Sequence, residues 1–228
     1  MSNIKVESLI LECGRMCNMN CPHCLRGDSQ NIHLKFDWAK TLIDQCESIG
    51  SITFTGGEPT LYTDFICKVI DYIIENNKTI GSFYIASNGK IIDYKLLCKL
   101  AEFYGYIEET MGEAEYTCRF DISNDHYHEE ISNKNLNLFK AFTFVGFRGD
   151  IIERALILEG RAQENGMGTR VLERKSFSIY DETIEMVYLN SKGYLIPDCD
   201  YSYDTQENFV QYHIDTPQVL YQIYQDNE

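Results

Sequence analysis

Cys17-Asn-Met-Asn-Cys21-Pro-His-Cys24 is the stretch on which the interpretation of this sequence depends. Thiolate sulfur is the preferred protein ligand of both iron–sulfur clusters and zinc. Three closely spaced thiolates on one loop can hold three irons of a four-iron cluster, which leaves the fourth iron open to a substrate or cofactor. On the residues alone, the alternative is a zinc site completed by Cys13, His23 or His33. The spacing therefore predicts a metal centre.

Composition places the chain among soluble globular proteins. It has 228 residues, of which 44% are hydrophobic and 24% are charged, enough for one domain with or without a small appendage. No apolar run approaches the roughly 20 residues that cross a bilayer, and the first residues lack a signal-peptide pattern. We therefore expect a cytoplasmic protein without a membrane partner. In such a reducing compartment its nine cysteines favour metal binding over disulfides.

The net charge of −15 argues against nucleic acid as a partner. Polyanion binding draws its affinity from lysine and arginine side chains that neutralise phosphates. The mixed stretch Arg170–Lys175 is the nearest approach to a basic patch, and a solvated loop or strand face explains it as well. A peptide, a small metabolite or a protein partner fits the charge better.

The first two-thirds of the chain alternates short apolar runs with amphipathic stretches, which is typical of βα units with parallel strands. The predicted strands are Val6–Leu11, Ser51–Thr55, Ser82–Ser87, Thr117–Ile122 and Phe142–Phe147, with a sixth near Leu156–Leu158. The predicted helices are Asp37–Glu47, Asp64–Asn76 and Asp93–Phe103. We predict an α/β fold built on these units.

The pattern changes near Gly166 and becomes rich in β-strand signals. Ser176–Tyr180 and Thr183–Leu189 are predicted strands, and a turn at residues 190–193 leads into Tyr194–Ile196 as a β-hairpin. Pro217–Tyr224 is a predicted short helix. We therefore divide the sequence into a core of residues 1–165 and a C-terminal extension of residues 166–228.

A second motif, Gly56-Gly57-Glu58-Pro59, directly follows the β run Ile52–Thr55. Two glycines allow the backbone to approach a ligand closely, and a carboxylate such as that of Glu58 accepts hydrogen bonds from an ammonium group. In isolation this motif also fits an ordinary strand-to-helix turn with Glu58 near a helix start.

Together, in this order and each after a strand, the two motifs resemble those of the radical S-adenosylmethionine (SAM) superfamily. The resemblance implies a partial (β/α)6 barrel of parallel strands with a small C-terminal β-hairpin extension. It implies a [4Fe–4S] cluster held by Cys17, Cys21 and Cys24, with His23 where the family places an aromatic residue. It also implies that the motif formed by Gly56, Gly57, Glu58 and Pro59 grips the amino group of SAM.

The resemblance extends to three further strand ends. It implies SAM contacts from Ser87 and Asn88 after the third strand, from Ser123 and Asp125 after the fourth, and a backbone contact to adenine from Val145 in the fifth. Each of these residues also fits a turn that merely ends a strand.

The activity implied is reductive cleavage of SAM to a 5′-deoxyadenosyl radical, which abstracts hydrogen from a peptide or small-metabolite substrate. A flavodoxin- or ferredoxin-type protein would supply the electron, and a peptide maturase is one form of such an enzyme. The alternatives are an activase of a glycyl-radical enzyme, a small-molecule lyase such as one that forms a deazapurine, and a non-enzymatic zinc- or cluster-binding regulatory module.

His126 and His128 are the candidates for substrate positioning or acid–base work, because histidine titrates near neutrality. They fit polar capping of the next helix as well. Cys118 is interpreted as a buried residue and Cys13 as one without a motif role. The tail around Cys199 resembles the SPASM or Twitch extensions of peptide-modifying radical SAM enzymes, but one cysteine cannot hold an auxiliary cluster. We interpret it as a cluster-free remnant.

Overall fold

The fold is organised around one β-sheet flanked by helices. The computed structural model describes residues 4–112, 114–149, 156–173 and 175–228. The strands are β1 (Ile4–Gly14), β2 (Cys46–Gly56), β3 (Ile80–Ser87), β4 (Arg119–Ser123), β5 (Val145–Arg148), β6 (Ile179–Tyr180), β7 (Thr183–Leu189) and β8 (Leu195–Ile196). The helices are α1 (Phe36–Gln45), α2 (Thr63–Glu75), α3 (Tyr94–Met111), α4 (Ala114–Thr117), α5 (Asn133–Phe139), α6 (Gly160–Glu164), α7 (Tyr203–Gln206) and α8 (Val219–Asn227), with a 3₁₀ turn at Pro59–Tyr62.

The strands run in the order β5-β4-β3-β2-β1-β7-β6, and β8 pairs with β7. The six strands from β5 to β7 in this order are parallel to one another, whereas β6 and β8 are antiparallel to β7. Helices connect the successive parallel strands, so the α/β fold and its partial barrel are confirmed. The five predicted strands from Val6 to Phe147 and the three predicted helices are present with shifted ends.

The predicted sixth strand near Leu156–Leu158 is wrong for the described residues. This segment makes an isolated parallel bridge between Ile157 and Arg170 instead of joining β5. Its backbone groups are satisfied locally, since Leu158 N–H donates to the Arg170 carbonyl at 2.8 Å. The sixth parallel strand is β7, which lies beside β1 at the other side of the sheet.

The C-terminal part of the chain continues the core sheet. The predicted hairpin is present, because β8 pairs antiparallel with β7 through Tyr188–Ile196 and Leu189–Leu195. The predicted tail helix is also present as α8, which buries Val219, Leu220 and Ile223. The boundary between residues 165 and 166 stays a prediction. None of the described helices is long and apolar enough to cross a bilayer.

Helix ends are set by local side-chain chemistry. Asp93 caps α3, because its carboxylate accepts from the N–H of Leu96 at 3.1 Å, and Gly112 ends the helix in the left-handed conformation. Helix α2 buries Ile66, Val69 and Ile73 on one face against the sheet. The helices thereby cover the sheet and leave the strand ends to form the site.

The carboxyl ends of the parallel strands carry the predicted functional residues. Gly14 ends β1, Gly56 ends β2, Ser87 ends β3, Ser123 ends β4 and Arg148 ends β5. Because parallel strands end at the same edge of a sheet, these positions face one region, as in barrel enzymes generally.

Candidate metal and cofactor site

The cysteine loop, residues 15–28, follows β1 directly. Cys17, Cys21 and Cys24 are free, half-buried thiols. The N–H of Cys24 donates to the Cys21 carbonyl at 3.2 Å, and the N–H of Cys17 donates to Ser29 Oγ at 3.0 Å. Three half-buried thiols on one loop are a donor set that suits a metal centre.

Burial makes the thiolate forms of this loop costly. It raises the pKa of Cys17, and it raises the pKa of Cys21 to about 11, with neighbouring Cys24 and Cys17 thiolates adding to the effect at Cys21. Three crowded thiolates therefore call for a cation to hold them together. This donor set suits a bound metal centre.

The turn after β2 packs directly against the start of the cysteine loop. The N–H of Gly57 donates to the Gly14 carbonyl at 2.9 Å, and the N–H of Glu58 donates to the Met16 carbonyl at 2.9 Å. A Cβ atom at Gly56 would lie 2.1 Å from the Gly14 oxygen, and one at Gly57 would lie 2.1 Å from the Met16 oxygen. The glycines thus serve the contact between the two motifs, whereas the sequence alone indicated a contact with a ligand.

Glu58 is buried and joins the ends of β2 and β3. Its Oε1 accepts from the hydroxyl groups of Thr60 and Ser87, each at 2.7 Å, and its Oε2 accepts from the N–H of Asn88 at 2.9 Å. The Asn88 side chain donates in turn to Asn18 Oδ1 in the cysteine loop at 2.7 Å. Because a carboxylate oxygen can accept more than one hydrogen bond, Oε2 keeps acceptor capacity for an ammonium group beside the bond from Asn88.

Residues at the end of β4 form the next part of the site. Arg148 donates to Ser123 Oγ at 2.9 Å, so these two residues lie side by side at the ends of β5 and β4. Val145 does not join them, because it is the first residue of β5 and pairs with Phe120 near the start of β4. The adenine contact of Val145 stays a prediction, and the residue at the carboxyl end of β5 is Arg148.

Aromatic side chains that follow β4 lie against His23 in the cysteine loop. The ring of His23 lies 4.7 Å from that of Tyr127 and 4.9 Å from that of His128. Burial, followed by the charge of His128, lowers the pKa of His23 to about 4, and His23 Nδ1 is buried without a hydrogen-bond partner. His23 therefore contacts the residues after β4 from within the cysteine motif.

Asp125 orients His128. Asp125 Oδ1 lies 2.6 Å from His128 Nδ1 and accepts from the N–H of Tyr127 at 3.0 Å. Burial alone would raise the pKa of Asp125, but the hydrogen bond and charge of His128 lower it. His126 is exposed and its ring lies 3.8 Å from that of Tyr127. Neither histidine caps α5, whose first turn is capped by Ser132.

Comparison with known proteins settles the family. The model of the radical SAM superfamily matches residues 11–135, which is more than half of the chain and includes both motifs. The chain belongs to the radical SAM superfamily. An uncharacterized protein of Methanocaldococcus jannaschii is 34% identical over 101 residues, which are 42% of this chain and 35% of that relative. This radical SAM chain therefore spans about a third of the length of that relative.

A solved structure shares the fold. A structure of native anSMEcpe with bound AdoMet and Cp18Cys peptide superposes with a TM-score of 0.54 at 13% identity, covering 95% of this chain and 82% of that one. Streptococcus suis SuiB bound to its precursor peptide SuiA gives a TM-score of 0.45 at 13% identity, covering 87% of this chain and 61% of SuiB.

Sequence reasoning missed the arginines that hold the cysteine loop. Arg161 in α6 donates from Nε to the Cys21 carbonyl at 3.0 Å. Arg26 donates to the Tyr201 carbonyl at 2.6 Å, and its guanidinium lies 5.2 Å from the Tyr188 ring centre. No sequence motif marked either residue, because their partners are backbone carbonyls and a ring far along the chain.

A second missed element is a buried ion pair at the base of the cysteine loop. Glu12 and Arg15 are both fully buried, and Arg15 Nε lies 2.8 Å from Glu12 Oε1. Glu12 also accepts from the hydroxyl groups of Tyr188 at 2.6 Å and Ser191 at 2.5 Å, and Arg15 donates to Gln206 at 2.8 Å. The C-terminal residues therefore complete the polar environment behind the cysteine loop.

The remaining cysteines lie elsewhere. Cys13 and Cys118 are buried in the hydrophobic core, and burial raises the pKa of both thiols. Cys199 is half-buried beside Asp198 and Asp200, with the ligand atoms of these three residues within 4.8 Å of one another. Lys175 pairs with Asp198 at 2.7 Å, so an ammonium group already faces that turn.

Proposed function

We propose that this chain cleaves SAM reductively and uses the resulting radical to abstract hydrogen from a peptide or small-metabolite substrate. The observation that carries the proposal is the hydrogen-bonded junction of the Cys17–Cys24 motif with the Gly56–Glu58 turn. When bound, a [4Fe–4S] cluster and SAM would supply a 5′-deoxyadenosyl radical after one electron arrives from a flavodoxin- or ferredoxin-type donor.

In this proposal the three thiolates of Cys17, Cys21 and Cys24 ligate the cluster, and Glu58 binds the ammonium group of SAM. Glu58 is 2% exposed and held in place by Ser87 and Asn88, so its carboxylate is preorganised. A preorganised buried carboxylate binds a cation more strongly than an exposed one, since no reorganisation is needed on binding.

Ser123, Ser87 and Asn88 line the strand ends next to this carboxylate, and we propose that they orient the rest of SAM. Arg148 takes the place that was predicted for Val145, because it stands at the carboxyl end of β5 and contacts Ser123. A guanidinium at this position suits the carboxylate or ribose of SAM.

Of the two candidate histidines, we propose His128 as the residue that handles a substrate proton. Its Nδ1 faces Asp125, an arrangement that fixes the tautomer and leaves Nε2 for a substrate. We expect the His128→Gln variant to form 5′-deoxyadenosine but no modified substrate. We expect the His126→Gln variant to form both products. Equal loss in the two variants would contradict this assignment.

The substrate class stays open between a peptide and a small metabolite. anSMEcpe, which shares the fold, was solved with a peptide, and the net charge of −15 disfavours a polyanionic substrate. The cytoplasmic location and the electron donor are parts of the same proposal.

The experiment is anaerobic reconstitution with iron and sulfide, reduction with dithionite, addition of SAM and mass spectrometry for 5′-deoxyadenosine. We expect product from the unmodified chain and its loss in Cys17→Ala, Cys21→Ala and Cys24→Ala. Cys98→Ala is the matched control, because Cys98 is an exposed thiol in α3. A colourless chain that binds one zinc and forms no product would overturn the proposal.

A further inference from the structure

Arg161 binds the backbone of the cysteine loop at several points. Its Nε donates to the Cys21 carbonyl at 3.0 Å, and its own backbone N–H donates to the Cys24 carbonyl at 2.9 Å. Its Nη1 donates to Asn20 Oδ1 and lies 3.2 Å from Asp28 Oδ1. Two of the three predicted metal ligands are thus held through their carbonyl groups by one residue, which is itself 8% exposed.

The residues around Arg161 strengthen this contact. A Cβ atom at Gly160 would lie 2.5 Å from Gly27 N and from the Leu25 carbonyl, so α6 begins in direct contact with the loop backbone. Asn165, at the end of α6, donates to the Pro22 carbonyl at 3.0 Å. A whole turn of helix therefore lies along the loop from Asn20 to Asp28.

The C-terminal part of the chain fixes this helix in turn. Glu159, just before α6, accepts from the N–H of Ser202 at 3.1 Å and from the hydroxyl group of Thr205 at 2.7 Å. Arg26, in the loop itself, donates to the Tyr201 carbonyl. The loop is thus bound both by α6 and by the segment that precedes α7.

We propose that Arg161 is a positioning residue that orders the Cys17–Cys24 loop and places a fixed positive charge beside the metal centre. The inference rests on the proposed function for the identity of that centre. A guanidinium suits both tasks, because its planar donors satisfy several carbonyl groups at once and its charge persists at every working pH. A nearby cation stabilises the more negative, reduced form of an iron–sulfur cluster.

The test compares Arg161→Gln, which loses the charge, with Arg161→Lys, which keeps the charge but loses the planar fork. Arg170→Gln is the control, because Arg170 is exposed and, within the described residues, it bonds the neighbouring segment through its backbone. The first readout is the rate at which Cys21 and Cys24 are alkylated in the metal-free full chain, measured by mass spectrometry. The second is the midpoint potential of the reconstituted chain, measured by electron paramagnetic resonance.

We expect Arg161→Lys, which keeps the positive charge beside the thiols, to raise the alkylation rates of Cys21 and Cys24 about tenfold, the loss that corresponds to charged hydrogen bonds, and to leave the midpoint potential near that of the unmodified chain. Arg161→Gln should make the midpoint potential more negative. Arg170→Gln should change neither, and Cys98 alkylation should stay constant throughout. Thermal unfolding of each variant separates local loosening from global unfolding.

Unchanged alkylation in Arg161→Lys would overturn the positioning role, and equal potentials in the Gln variant and the unmodified chain would overturn the electrostatic role. If the Arg161 variants do not fold, Asn165→Ala, which removes the side-chain bonds to the Pro22 and Arg161 carbonyl groups, gives the alkylation test at the same contact. An unmodified chain that binds no cluster would refute the proposed function, whereas the alkylation result would still decide whether Arg161 orders the loop.

Discussion

The carboxylate of Glu58 accepts the backbone N–H of Asn88 at 2.9 Å, and this bond, together with the one from the Ser87 hydroxyl group, ties the turn after β2 to the end of β3. The side chain of Asn88 then reaches Asn18 in the cysteine loop. Both predicted motifs and the third strand end therefore belong to one hydrogen-bonded unit. A change in one motif should affect the chemistry of the other without unfolding the chain.

Glu58→Gln should weaken SAM binding about tenfold or more, because a hydrogen bond between an ammonium group and a carboxylate is lost. The cluster should still assemble, since Gln keeps the size of the side chain and none of the three cysteines changes. Equilibrium binding of SAM to the reconstituted chain measures the effect. Asp64→Asn is the control, because Asp64 is an exposed acid on α2. If Glu58→Gln bound SAM as tightly as the unmodified chain does, Glu58 would be excluded as a residue that binds SAM.

Gly57→Ala should disrupt the metal site, whereas Gly105→Ala should stabilise the fold. A Cβ atom at Gly57 would lie 2.1 Å from the Met16 carbonyl, so this variant must separate the two motifs and lose bound iron after reconstitution. Gly105 lies inside α3 with no neighbour within 4 Å of an added Cβ, so alanine should stabilise the fold by about 0.5–1 kcal/mol. Iron analysis and denaturant unfolding measure the two outcomes. Full iron content in Gly57→Ala would show that the backbone contact is dispensable.

Much of the site region followed from the sequence because its residues lie next to strand ends that carry a strong local pattern. The apolar runs before Gly14 and Gly56 predicted both strands, and parallel strands bring their carboxyl ends together. The start of the fifth strand was less well predicted. The strand β5 begins at Val145 instead of at Phe142, and it ends at Arg148, one residue beyond the predicted end. The sequence interpretation named Val145 and gave no role to Arg148, which lies at the carboxyl end.

Long-range pairing was the other part that local pattern could not supply. The alternation in Thr183–Leu189 predicted a strand, but it carried no information that the partner would be β1. Arg161 was missed for a similar reason, because its partners are carbonyl oxygens, which every residue possesses. Such contacts are decided by the packing of distant segments rather than by spacing along the chain.

Asp44 should make stability depend on acid pH. Burial alone would raise its pKa, but hydrogen bonds from Lys40, Lys78 and Tyr72 lower the pKa from 3.8 to about 2. A lowered carboxyl pKa contributes stability that is complete above the unfolded value near 3.8 and is lost as the pH falls through 2. Asp44→Asn should therefore destabilise the chain by about 1 kcal/mol at pH 7, after allowance for solvent screening of this partly exposed group.

Denaturant unfolding of Asp44→Asn and of the unmodified chain, measured between pH 7 and pH 2, checks this dependence. The difference in unfolding free energy should shrink as the pH falls below about 3.8. Asp64→Asn again serves as the control, because its carboxylate is 91% exposed and pairs with a similarly exposed Lys95. A difference that stays constant across the whole range would show that Asp44 acts through packing and not through its charge.

Substitution in the buried ion pair of Glu12 and Arg15, behind the cysteine loop, should lower the free energy of unfolding strongly. Arg15→Met leaves the Glu12 carboxylate buried and uncompensated, so we expect a loss of about 3–5 kcal/mol in the free energy of unfolding. Adding Glu12→Gln should restore part of this loss, because it removes the unpaired charge. The exposed pair of Lys95 and Asp64 gives the matched control, and Lys95→Met should cost less than about 1 kcal/mol.

Chemical unfolding of the metal-free chain under reducing conditions measures all three variants against the unmodified chain. Arg15 also donates to Gln206, and Glu12 accepts from Ser191, so the same substitutions loosen the C-terminal segment from the core. Proteolysis near residues 190–206 should therefore accelerate in Arg15→Met and stay unchanged in Lys95→Met. If Arg15→Met cost no more than Lys95→Met, the pair would be an incidental contact, and the C-terminal segment would be held to the cysteine loop by Arg26 and α6 instead.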